Sequence, residues 1–456
     1  MNHRSRLYDL IDRSIEGPIV SEKDFDMKHI YKGITEVVKK YDIKLDMNHI
    51  INQDDDLADR VWNAAIEFLA GAGVYSKDTG RVIFYSEEEI RRLIKLAPSS
   101  ASFGEGCDTV VEVARSVEDA RPPINQGGPV NIPAPNEYFM AITQSYMQEP
   151  RIDMHCPVTN LTVNGREIRT KAPTEILAAW EEVLMFKQAA QMSGRPGLYY
   201  NGIGISVSDI GQLSAGHLLG PNDGHCFGII SELKTDNSIL NKLTQIVMLD
   251  GHCMPYANPI YGGLGGGVEG QTVLLCAEMI ALSVFFLGTT VGTTPTHPMV
   301  FASSTKGIML ESSVAFQAIA RNSKIMTRYT HTQVGGPGTK TLLYEIIASC
   351  AMIVRSGISR VQGPRPSTGA VVGACSGLEA RFQGELLDAF AKMDRKEADR
   401  IAQLAFAKYE DQIDKKPYGK PFWEVYDVKS IKPTEEWQRM YEEVKEEAIG
   451  WGLAID

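Results

Sequence analysis

Residues 252–288 read HCMPYANPIYGGLGGGVEGQTVLLCAEMIALSVFFLG. A short apolar run, a proline-bearing polar end, a tight glycine turn and a long apolar stretch make one strand–loop–helix unit. The same order recurs on both sides. RIDMHCPVTN (151–160) precedes PTEILAAWEEVLMFKQAAQMSG, PGLYYNGIG (196–204) precedes VSDIGQLSAGHLLG, and GHCFGIIS (224–231) precedes SILNKLTQIVML. Beyond the quoted stretch, HPMVFASS (297–304), KIMTRYTHTQ (324–333) and ISRVQGP (358–364) each run into an amphipathic helix. These are seven β–α units, and a strand near 123–131 makes eight. Repeated β–α units imply parallel strands with right-handed crossovers, and eight of them close into a TIM (β/α)8 barrel. An open doubly-wound sheet is the alternative architecture.

The rest of the chain frames that barrel. Residues 1–120 read as an accessory α+β region: DLADRVWNAAIEFLAGAGV has helical spacing, GRVIFYS is a short strand and EEEIRRLIKLA a further helix. The Pro/Gly-rich ARPPINQGGPVNIPAP (120–135) marks the boundary. The barrel is expected over 121–393, and the charged helices of 394–456 form a solvated C-terminal extension. A formal net charge of −11 argues against nucleic-acid or anionic-membrane partners. Seven scattered cysteines without a C-x-x-C suit free thiols in a reducing cytoplasm. The N-terminus has no apolar segment of signal-peptide type, and TVLLCAEMIALSVFFLG, which carries Glu278, is a buried helix rather than a membrane span.

In a TIM barrel, chemistry sits where strands end. That rule selects His155 and Cys156, Tyr199 to Asn201, His225 and Cys226, Met254 to Tyr261, Ser303 and Ser304, Tyr329 to Gln333, and Gln362. Three motifs in or near the quoted stretch compete. Gly265 to Gly270 fits G-x-G-x-x-G, but FFLGTTVGTTP downstream lacks the acidic residue that a dinucleotide ribose needs. Asp250-x-His252 begins like a cobalamin-binding signature, but Pro255 stands where glycine is required, so no corrinoid is expected on this chain. The dipeptide HC occurs three times, at 155, 225 and 252. Each pair could turn one ligand inward, so a zinc site using His155, Cys226 and Cys253 is an alternative. Buried cysteine as a small hydrophobe is the plainer account.

Several blocks together carry a resemblance: PINQGGP (123–129), SGRPG (193–197), PIYGGLGGGVEGQT (259–272), SGLEARFQGEL (376–386) and YDVKSIKPTEE (426–436). They are similar to the monomethylamine:corrinoid methyltransferases of methanogens, from about residue 50 onward. The resemblance implies a TIM barrel, a homohexamer, and transfer of a methyl group from a methylamine to the Co(I) of a separate corrinoid protein that carries the cobalamin. It also implies a pyrrolysine in the cavity. In this chain that position is Asn201, which makes the chain a non-pyrrolysine homologue. The family's active-site glutamates fall at Cys226 and Tyr256, the groups that hold the pyrrolysine ring fall at Thr330 and Thr332, and His225 matches. Catalytic roles are therefore expected at Asn201, Tyr256, Cys226 and His225.

Asparagine offers no imine to capture a primary amine. A quaternary ammonium needs none, because it leaves as a neutral amine. Tyr199, Tyr200, Tyr256, Tyr261 and Tyr329 supply candidate faces for a cation cage, with no more than two or three of them expected to face the cavity, and Arg328 is a candidate partner for a carboxylate or for a neighbouring helix. The reading is a methyltransferase for a methylated amine, a quaternary one favoured. The alternatives are a zinc-dependent thiol or alcohol methyltransferase, and a barrel that binds or regulates without catalysis.

Overall fold

The computed structural model describes residues 3–201 and 208–455. Seven parallel strands form the central sheet: β1 (Ile124–Gly127), β2 (Met154–His155), β3 (Gly224–Gly228), β4 (His252–Ala257), β5 (Thr290–Thr293), β6 (Met326–Thr332) and β7 (Arg360–Arg365). Their spatial order is β3-β4-β5-β6-β7-β1-β2. The register is continuous: Cys226 lies opposite Met254, Tyr256 opposite Gly292, Gly292 opposite Arg328, and Arg328 opposite Arg360.

The sheet is strongly curled. β3 and β6 are three strands apart, which in a flat sheet is roughly 14 Å. Yet Arg328 Nη2 on β6 lies 2.8 Å from Cys226 Sγ on β3. Both edge strands also meet one short segment. The Asn201 amide donates to His155 O at 3.1 Å, and the Gly224 amide donates to Tyr200 O at 2.8 Å. Tyr200 thus bridges β2 and Asn201 bridges β3, each in the parallel sense. The remainder of the strand expected over PGLYYNGIG, residues 202–204, lies outside the described residues.

Long helices cover the convex face. Val268–Val284 is buried from Gly270 to its end, as expected for an apolar helix within a protein core. Lys306–Asn322, Lys340–Arg355 and Gly377–Ala391 follow the strands in turn. Ser376 and Glu379 form a capping box at the start of the last of these, satisfying amides the helix cannot pair itself. Among the described residues no helix is long and apolar enough to cross a membrane.

One expected strand is displaced. HPMVFASS is a loop in which Met299 and Phe301 are exposed and Phe301 adopts φ 53°. β5 is instead the preceding Thr290–Thr293, buried throughout. The β-branched run there suits a strand better than a segment containing Pro298. The C-terminal helices are not merely solvated either. Glu435–Gly450 buries Trp437, Tyr441, Val444 and Ala448, and Arg395–Phe406 buries Ala398, Ile401, Ala402 and Ala405.

The N-terminal region reaches into the sheet from its amino-terminal end. Strands Ser100–Phe103 and Val110–Val113 form a hairpin. From it the Phe103 ring lies beneath the Arg360 guanidinium, 4.4 Å from its carbon, and edge-on to Tyr199. Glu112 forms an ion pair with Arg360, and both side chains are fully buried. Thr290 Oγ1 also donates to Glu112, at 2.9 Å. This pair stoppers the amino-terminal end of the curl. Removing one partner strands the other charge in a dry site, so Glu112→Ala should destabilise the fold by about 3 kcal/mol or more. A lowered midpoint of chemical denaturation reads this. The double variant Glu112→Leu/Arg360→Met should recover much of the loss.

Candidate functional site

A cavity of about 730 Å3 opens at the carboxyl ends of the strands. Its wall follows from alternation, because residues two apart on a strand face the same side. β3 contributes Cys226 and Gly228; β4 contributes Tyr256, with Asn258 just beyond; β6 contributes Arg328, Thr330 and Thr332; β7 contributes Gln362, with Arg365 at its end. The order along β6 sets depth. Each pair of residues rises about 6.6 Å, so Arg328 is deepest and Thr332 lies at the rim.

Asn201 lines this cavity, 3 % exposed. Its Nδ2 donates to Cys156 Sγ at 3.5 Å, and the Tyr199 hydroxyl lies 3.2 Å from its Oδ1. Burial pushes the Cys156 thiol up to about 11, so it stands there as the neutral S–H. The amide is thus held from both sides. The Tyr199 hydroxyl also contacts Met254 Sδ at 2.8 Å and receives Arg360 Nη1 at 3.2 Å. Tyr199 therefore ties Asn201 to the buried ion pair below rather than lining the cavity itself.

Tyr256 presents its hydroxyl to Thr294 Oγ1 and accepts the Thr330 amide at 3.1 Å. Thr330 Oγ1 donates to Gln362 Oε1 at 2.9 Å. The rim threonine is fixed by its backbone, the Thr332 amide donating to Ser303 Oγ at 2.9 Å. Arg328 Nη2 donates to Cys226 Sγ at 2.8 Å and to Met254 O at 3.1 Å. Its guanidinium carbon lies 4.7 Å from the Tyr256 ring centroid.

Several expected site residues face the other way. His225 precedes Cys226 and turns outward, its Nε2 3.2 Å from Gly220 O. Tyr200 faces the helix Pro173–Met192, donating to Glu182 at 3.2 Å. Tyr329 packs edge-on to Phe316 of helix Lys306–Asn322. Tyr261 stacks on His297, outside the cavity wall. The cation cage is therefore not assembled. Of the five tyrosines only Tyr256 lines the cavity, and a guanidinium already covers its face.

The zinc alternative is not assembled either. His155 lies between Tyr146 and Phe186, its Nδ1 2.9 Å from Gly127 O. Cys253 Sγ is 3.1 Å from Phe286 O on the convex side. Only Cys226 of that set reaches the cavity, and among the described residues no group of His, Cys, Asp or Glu is arranged to hold a metal. Among the described residues Arg328 meets no helix carboxylate; it faces the cavity. His252 sits at the closed end, its Nε2 2.9 Å from Ser102 O. The glycine run is a packed turn. A Cβ on Gly270 would lie 2.0 Å from Gly265 O, which leaves no cradle for a phosphate.

Asn131, Gln212, Lys242 and Thr368 also line the cavity, and the strand-end rule did not reach them because they lie on loops and helices. Arg365 was within reach of that rule, three residues after Gln362 at the end of β7.

The sequence and fold can be compared with known proteins. The family model for monomethylamine methyltransferase MtmB matches residues 5–453. The chain belongs to the MtmB family. MtmB2 and MtmB1 of Methanosarcina acetivorans are 30% and 31% identical over 450 and 453 residues, covering 98% of both chains in each case. The crystal structure of Methanosarcina barkeri MtmB superposes with a TM-score of 0.95 at 29% identity, again over 98% of each chain. The hydroxylamine complex of MtmB gives the same values. The MtmB fold is therefore retained throughout, with an asparagine amide, an arginine and a thiol in the cavity wall.

The buried histidines set an acid limit. Burial lowers His155 to about 3 and His331 to about 4, so both are neutral in the fold. Unfolding releases them to an ordinary value near 6.5, where they take up protons. Their contribution is complete above about pH 6.5 and is lost as pH falls toward 4 and then 3, with a slope of up to about 1.4 kcal/mol per pH unit for each. Denaturation midpoints across that range measure this, and His331→Gln should remove one of the two increments.

Proposed function

We propose that the chain is a corrinoid-dependent methyltransferase that works without pyrrolysine, moving a methyl group from a methylated amine to the Co(I) of a separate corrinoid protein. In this reading the curled sheet is a closed (β/α)8 barrel, with Tyr199–Asn201 as its eighth strand. Asn201 occupies the place where the MtmB family resemblance puts pyrrolysine. The observation that carries the proposal is the buried Asn201 amide in the wall of a roomy cavity, within a chain matched to the MtmB family from residue 5 to 453.

The chemistry follows from the amide. An asparagine cannot form an adduct with an amine, so the donor must bring its own leaving group. A quaternary ammonium does: the C–N bond breaks, its electron pair stays on nitrogen, and a neutral amine departs. The corrinoid in its Co(I) form supplies the electron pair that accepts the methyl group. The protein's part is positioning and exclusion of water. Asn201 holds a polar part of the donor through whichever of its amide atoms faces the cavity. Thr330 and Gln362, locked to each other, orient it from the opposite wall.

The test is methyl transfer to a Co(I) corrinoid protein from a panel of primary to quaternary methylated amines. Transfer from a substituted amine, with methylammonium a poor donor, is expected. Asn201→Ala should lower kcat/KM by about tenfold, the worth of one or two hydrogen bonds. Inertness toward every methylated amine would overturn the reading.

A further inference from the structure

We infer that the cavity takes its methyl donor as a zwitterion, with a carboxylate held by Arg328 at the base; this rests on the methyl-transfer reading above. The argument begins from two arginines that sit opposite each other on β6 and β7, both fully buried. Arg360 faces the closed end and is neutralised by Glu112. Arg328 faces the cavity, and among the described residues no carboxylate lies within ion-pair distance of it.

Its contacts leave donor capacity unused. Nη2 reaches Cys226 Sγ and Met254 O, Nη1 reaches Gln362 Oε1 only at 3.5 Å, and Nε has no partner. A guanidinium presents five N–H groups in a planar fork suited to a carboxylate. Burying such a charge without a counter-ion is costly, and a chain retains that cost where a ligand removes it. The wall strengthens the point. Arg365 lies at the end of β7, bonded to the backbone carbonyls of Val130 and Thr368, and among the described residues no aspartate or glutamate lines the cavity. A bare methylammonium would meet only like charge there. A donor that also bears a carboxylate satisfies Arg328, and its ammonium end then points up the line Arg328, Thr330, Thr332 toward the mouth.

One group of the protein competes for Arg328, the sulfur of Cys226, and the experiment separates the two. The probes are N,N,N-trimethylglycine and its amide, which keeps the trimethylammonium but loses the negative charge. Binding to the full chain is measured by calorimetry without any corrinoid protein. The acid should bind at least about tenfold more tightly than the amide, as a charge-assisted pair to arginine requires. Arg328→Gln should bring the ratio to about one, and Arg328→Lys should restore part of it. Equal binding of acid and amide by the wild type, or a ratio unchanged in Arg328→Gln, overturns the inference.

A second measurement needs only the wild type. The acid, and not the amide, should slow alkylation of Cys226 by iodoacetamide; equal protection by both, or by neither, overturns it. Because no methyl transfer is involved, the two claims fail separately. Discrimination without transfer would sink the proposed activity and leave the carboxylate site at Arg328 standing. Transfer without discrimination would do the reverse.

Discussion

Adjacent residues on a parallel strand point to opposite sides of the sheet, and this one constraint assigns nearly every side chain discussed here. On β3 it sends His225 out to a backbone carbonyl and Cys226 into the cavity. On β4 it sends Cys253 outward and Met254 and Tyr256 inward. On β6 it gives Arg328, Thr330 and Thr332 to the cavity and Tyr329 to the helix layer. Each His–Cys pair is split across the sheet, and of His155, Cys226 and Cys253 only Cys226 is turned into the cavity.

The inner face is polar at both levels, but the two levels are compensated differently. Below, Arg360 is closed off by Glu112 and flanked by Phe103 and Tyr199, so its charge is spent within the fold. Above, Arg328 touches a thiol, a carbonyl and an aromatic face. Tyr199 joins the levels, receiving Arg360 on one side and contacting Asn201 on the other. The position of the Asn201 amide thereby depends on an ion pair contributed partly by the N-terminal hairpin. A region that reads as accessory thus helps to set the geometry of the cavity.

Much of this was legible in the sequence. The repeated strand–loop–helix rhythm gave parallel strands, and the strand-end rule led to Asn201, Cys226, Tyr256, Thr330 and Gln362. It failed in two ways, each with a physical cause. It named strand ends without fixing phase, so outward residues such as Tyr200, Tyr329 and His225 came along with inward ones; one residue of register separates the two sets. It also preferred the more apolar HPMVFASS over the short Thr290–Thr293, although burial of that strand on both faces comes from its neighbours and not from its own hydrophobicity. Glu112 could not be foreseen at all, since its partner lies 248 residues away.

The stopper formed by Phe103, Glu112 and Arg360 makes the curl a cup rather than a tunnel. In the proposed reaction, cargo and acceptor then share one doorway. The donor is seated before the proposed corrinoid protein covers the rim, and the demethylated product waits for that cover to lift. Turnover on this reading runs in strict sequence.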